Sequence, residues 1–249
     1  MNPLKIFGFV ILFSVILSCH TDKPVMPNPD AQILFSFSNT VKGGQINKST
    51  SIHTNSSNNN YKVDLLKYYI TNITLVDDKG IATNYKNYNL IDAFDINSTA
   101  FFLDKKVVNG NYKEVIFYVG VDQERNHTGA QEGALSASNG MLWNWTFGYI
   151  FFKMEGHFTS PSIISETAYR NHLGTDSSLI KVKLPISMLV NGTDKKVNIK
   201  FDLDKVFGVS PNIIDLSVDN DRQSNLGDEI WMKKMVVNTA QAFAITSIE

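Results

Sequence analysis

Cysteine is almost missing from this chain: the 249 residues hold one, Cys19, so no disulfide can form within the chain and no multi-thiolate metal cluster can be built. Histidine is also sparse. His20, His53, His127, His157 and His172 are scattered, and no local spacing among them announces a metal site. Charge of one sign is lacking too, since 23 Lys and Arg nearly balance 24 Asp and Glu with no basic block, which excludes the electrostatic footprint of a nucleic-acid binder. No apolar run reaches the length of a transmembrane helix; the longest is Ile6 to Leu17. Motifs of catalysis are missing as well: there is no G-x-S-x-G elbow, no phosphate-cradling glycine loop and no H-E-x-x-H helix. The expectation is a binding or structural protein, not an enzyme.

What is present begins with an address. Lys5, the apolar run and Ile16-Leu17-Ser18-Cys19 resemble a bacterial lipobox, in which the cysteine thiol receives a diacylglycerol. Residues 1–18 are therefore expected to be a lipoprotein signal peptide and Cys19 the lipid-modified first residue of the mature chain. Residues 19–30, with Pro24, Pro27 and Pro29, read as a tether, and residues 31–249 as a single β domain. The expected location is the bacterial cell envelope, periplasmic or outer-membrane, held to the membrane by the lipid alone.

The β reading rests on alternation. Ile180, Val182 and Leu184 alternate with Lys181 and Lys183, and Val197, Ile199, Phe201 and Leu203 with Asn198, Lys200 and Asp202. Ile33 to Phe37 reads as a first strand, Tyr61 to Val76 as strand material, and Gly110 to Asp122 as a central strand apolar on both faces. In the second of these, Ile70, Thr74 and Val76 are placed for one face, Ile73 and Leu75 for the other. Gly43 to Asn60 is polar and loop-like. Helix signals are confined to one turn at Asp204 to Phe207 and a short C-terminal helix, Glu229 to Phe243, capped by Asp228. Together these predict an all-β domain, one antiparallel β-sandwich or distorted barrel with long loops.

Two segments carry possible chemistry. Asp122, Glu124 and Asn126 occupy the first ligand positions of an EF-hand-like pattern, but His127 and Gly133 stand where its glycine and glutamate are needed, so a solvated polar loop is the preferred reading. In Asn139 to Trp145, the period of two puts Met141, Trp143 and Trp145 on one face. Ile150, Phe152 and Met154 then face one way on a half-buried strand, with Lys153 and Glu155 opposite. Two tryptophans on one face fit core packing only if both indole N–H groups find partners.

The block GVDQERNHTGAQEGALSASNGMLWNWTFGYIFFKMEG, Gly120 to Gly156, together with LLKYYITNITLVDDKG, YNLIDA, NGNYKEVIFYVGVD and YRNHLG, resembles the MbnP-like family of bacterial periplasmic copper-binding proteins, associated with methanobactin operons. The resemblance runs from Ile33 through most of the chain and is looser beyond Trp231. It implies a site in which a partner di-haem peroxidase-like enzyme oxidises a tryptophan to kynurenine, which joins histidines as a Cu(I) ligand. Carried onto this sequence, the tryptophan is Trp143 or Trp145, the best-matched histidine is His172, His53 is a weaker second, and Met141 is an additional thioether. A TonB-dependent transporter is a further possible partner. The alternative is an envelope β-sandwich lipoprotein, structural or ligand-binding, that lacks the metal.

Overall fold

The computed structural model describes residues 30–129 and 131–249. The expected signal peptide, Cys19 and the tether up to residue 29 lie outside the described residues. Fourteen strands form: β1 (Ile33–Val41), β2 (Gly44–Gln45), β3 (His53–Thr54), β4 (Asn60–Asp77), β5 (Ala82–Asp92), β6 (Ala100–Phe102), β7 (Gly110–Val119), β8 (Leu142–Asn144), β9 (Gly148–Thr159), β10 (Thr167–Gly174), β11 (Ile180–Val190), β12 (Lys195–Asp202), β13 (Asp221–Gln223) and β14 (Phe243–Ile248). Among the described residues three α-helices accompany them, α1 (Gln123–Asn126), α2 (Leu216–Asp219) and α3 (Glu229–Ala240).

The strands make two sheets packed as a sandwich. The larger runs β11-β7-β4-β9-β10-β13, with β3 and β5 also on β4 and β8 on β9; the smaller runs β14-β12-β1-β2, with β6 on β1. Neither closes into a barrel. Most pairings are antiparallel as expected, but β1 with β12 and β10 with β13 are parallel, so both sheets are mixed. β4 is the spine: its first half pairs with β9 and its second with β7.

Between the sheets lies an apolar core in which Phe37, Tyr68, Phe117, Phe152, Phe201 and Phe243 meet ring to ring. Each such side chain contributes about 1.5–3 kcal/mol of burial. Two sequence readings are corrected here. Asn72 takes φ +52° at a register shift in β4, which adds a residue and reverses the alternation, so Ile70 joins Ile73 and Leu75 in the core. The C-terminal helix stops at Ala240, and Phe243 to Ile248 becomes the edge strand β14 on β12 instead of a frayed helix end.

The outer face of the larger sheet is covered too. Tyr69, Val121, Leu135, Met141, Tyr149, Ile150 and Phe151 form a second, smaller buried cluster beneath the chain that connects β7 to β9.

Candidate functional site

That cover is the Gly120–Gly148 stretch, and several of its polar residues are spent inside the protein. Gly120 (φ +126°) lies flat against the sheet, where a Cβ would stand 2.5 Å from the Phe151 ring. Asp122 caps α1 and accepts from Tyr88 Oη and Asn72 Nδ2, so the cation-ligand pattern read at Asp122, Glu124 and Asn126 is a capping and hydrogen-bonding device. Burial and that bond push the Tyr88 hydroxyl well above its ordinary pKa. Asn126, almost completely buried, donates to Asp176 Oδ1 (2.7 Å) and accepts from the Tyr149 amide (2.7 Å). His127 pairs with the same Asp176, at 3.2 Å. Tyr149 Oη donates to the Leu135 carbonyl, Tyr69 Oη to that of Ala134, and Asn139 Nδ2 to those of Gly133 and Ala134.

The three aromatic and thioether candidates part company at the end of the cover. Met141 is fully buried in the outer cluster, and Trp143 packs against that cluster from β8. Trp145 does not share their face: it is 49% exposed in the turn after β8, next to the exposed Phe147. The cause is Asn144, whose Oδ1 accepts the amides of Thr146 and Phe147 (both 2.9 Å) and turns the chain before the alternation reaches Trp145.

Trp143 rests its benzo edge on Gly174. A Cβ there would stand 2.6 Å from the indole and 2.4 Å from the Tyr149 carbonyl oxygen, so only glycine lets the ring lie this low. Ser224 Oγ bridges the amide and carbonyl of Gly174, at 2.7 and 3.0 Å, and fixes the strand end beneath the ring.

His172 stands two residues before Gly174 on β10, which in a strand is the same face roughly 7 Å away. Its neighbours Asn171 and Leu173 point into the main core, so His172 points outward, yet it is only 6% exposed. Nε2 meets Glu155 Oε1 at 2.7 Å, and burial lowers the imidazole pKa in spite of that carboxylate. Nδ1 is buried and unpaired. The indole Nε1 of Trp143 is also buried and unpaired. His172 and the Gly174 that Trp143 rests on share the outer face of β10, and each of the two side chains keeps one buried nitrogen unpaired.

His53 is not part of this arrangement. It pairs across β3 and β4 with Tyr61, whose ring lies in the inner core against Phe207, so His53 belongs to the opposite face of the sheet. Burial lowers its pKa. His157, on the outer face, is taken by Asp64 at 2.7 Å. Among the described residues no three His, Cys, Asp or Glu side chains cluster as a metal cage.

Two contributors escaped the sequence reading. Glu155 and Lys153 alternate with buried Phe152 and Met154 and read as a solvated face, but the pairing of β9 with β10 sets Lys153 directly opposite His172. Lys153 Nζ lies 3.5 Å from Glu155 and donates to the Gly140 carbonyl at 3.1 Å, one residue before Met141.

Fold and site together define a two-sheet β-sandwich whose larger sheet carries an aromatic cluster and a structured cover on its outer face. The MbnP family matches residues 30–228, and the chain belongs to it. Among solved structures, MbnP from Methylosinus trichosporium has the same fold, with a TM-score of 0.50 at 18% identity over 77% of this chain and 80% of that one. Comparison with curated proteins returns no match.

Proposed function

We propose that the chain is a copper-binding lipoprotein of the bacterial cell envelope, anchored through Cys19, which takes Cu(I) at His172 and Trp143 once Trp143 has been oxidised to kynurenine by a partner di-haem enzyme. It binds and does not catalyse. The observation that carries this reading is His172, buried on the outer face with Nε2 held by Glu155 and Nδ1 unpaired, two residues along β10 from the Gly174 on which Trp143 rests. An unmet buried polar atom costs about 1–3 kcal/mol, and a bare imidazole nitrogen favours a ligand that takes its lone pair.

The residues fit the metal in kind. A neutral imidazole nitrogen is a good donor to Cu(I), and burial shifts His172 toward its neutral form. An intact indole offers an N–H and no in-plane lone pair, so Trp143 becomes a ligand only after ring opening exposes an aryl amine and a ketone. Met141, buried in the cluster against which Trp143 packs, is the thioether candidate. Trp143 is preferred over Trp145 because it alone of the two is packed against the cluster, and His53 is set aside as a co-ligand of His172 because a sheet separates them.

The test is Cu(I) titration of the folded domain before and after oxidation by a di-haem enzyme, with peptide mass spectrometry to locate the modified tryptophan. The expected result is tight binding only in the oxidised state, with the change at Trp143. No binding above background in either state overturns the reading. A second reading, an envelope β-sandwich without a metal, is favoured by the internal use of Asp122, Asn126 and Asn139, and it expects no oxidation at Trp143.

A further inference from the structure

We propose that Glu155 is the positioning residue of His172: by accepting the Nε2 proton it fixes the imidazole as the Nε2–H tautomer and reserves the Nδ1 lone pair for a ligand. The copper arm of the test below rests on the proposed function; the tautomer arm does not.

The geometry points one way. A carboxylate only accepts, so the 2.7 Å contact between Glu155 Oε1 and His172 Nε2 places the proton on Nε2. In a neutral imidazole the other nitrogen then carries the lone pair, and Nδ1 is the atom left buried without a partner. Glu155 is itself held. Lys153 reaches it at 3.5 Å and donates to the Gly140 carbonyl at 3.1 Å, so the cover next to Met141 and Trp143 is tied through two side chains to His172. Glu155 and Lys153 stand on β9, and His172 on β10 directly across from Lys153, so the arrangement is set by rigid strands and not by a loop. Metal-binding histidines commonly have their second nitrogen held by a carboxylate in this manner, and loss of such a partner lowers metal affinity about 10–100-fold.

The experiment is nitrogen-15 NMR of the histidine side chains in the unmodified, metal-free protein, comparing wild type with E155A and E155Q. Wild type is expected to show His172 with a bare Nδ1 and a protonated Nε2. E155A is expected to mix the tautomers, and E155Q, whose amide oxygen still accepts, to restore most of the wild-type pattern. A wild-type spectrum with the proton on Nδ1, or an E155A spectrum unchanged from wild type, overturns the proposal. The wild-type spectrum decides it even if E155A does not fold.

Cu(I) titration of the tryptophan-oxidised protein is the second arm, with E155A expected to bind at least tenfold more weakly and E155Q to recover part of the loss. If wild type binds and E155A binds equally well, the positioning role is wrong and the copper reading stands. If wild type binds no Cu(I), the copper reading falls and the tautomer assignment is judged on the NMR alone.

Discussion

Asn171 and His172 are neighbours on one strand and live in different chemistries. Asn171 points inward, where its Nδ2 donates to the Asp219 carbonyl and its Oδ1 accepts from the indole of Trp231 at 3.1 Å. His172 points outward, where one nitrogen is held by Glu155 and the other meets nothing of the protein. Each face of the strand meets a tryptophan: Trp231, almost fully buried in the main core with its N–H paired, and Trp143, part of the cover and packed against the outer cluster with its N–H unpaired. On β10 the inner polar side chain, Asn171, is satisfied by the chain alone. The outer one, His172, keeps a buried nitrogen unpaired; Tyr61 Oη and His53 Nε2 are unpaired elsewhere in the protein, and what sets His172 apart is the carboxylate on its other nitrogen.

The largest effect expected from this contrast is inside. Phe117, buried and in edge contact with Phe37 and Phe243, holds the two sheets together, so Phe117→Ala should lower unfolding free energy by about 3–5 kcal/mol in urea melts. A loss below about 1 kcal/mol would mean that the inner core is not the main source of stability. Next comes the cover. Gly148 takes φ +76°, and its Cβ would stand 2.3 Å from Asn126 Oδ1, so Gly148→Ala should cost about 1–3 kcal/mol and loosen Asn126 from the Tyr149 amide. Hydrogen exchange should show faster opening of residues 120–147 with little change in β12, as expected if the cover is a separate cooperative layer. Equal acceleration in both places would merge the two regions into one.

How far the sequence reaches follows the same division. Strands with one wet face, β11 and β12, are legible from lysine and asparagine alternation, because a half-buried strand writes its burial into its side chains. The phase of β4 is not, since the extra residue at Asn72 is carried by backbone conformation and Asn is compatible with either geometry. The parallel pairing of β1 with β12 joins residues about 160 apart and has no local signature. For the site, the resemblance named His172 and left Trp143 and Trp145 open, with His53 as a weaker second. The separation of Trp145 was written in Asn144, a residue that favours turns by taking the amides that follow it. Glu155 could not be found from spacing, because which charged residue faces His172 depends on how β9 and β10 register, a property of the sheet and not of either strand.

The two tryptophans give the finer test. Trp231→Phe removes ring volume from the core and strands Asn171 Oδ1 without its donor, so both contributions destabilise; a loss of about 1–3 kcal/mol is expected from the orphaned oxygen in addition to the cavity. Trp143→Phe also removes volume, but it deletes a donor that has no partner to lose, and the relief of that unmet N–H opposes the cavity. The expected net change at Trp143 is within about 1 kcal/mol, clearly smaller than at Trp231, when both variants are melted under the same conditions. The comparison is sharp because the chemical change is identical and only the partner differs. Equal losses at the two positions would mean that the Trp143 N–H is satisfied in solution as well as that of Trp231, and the distinction between the two faces of β10 would fail.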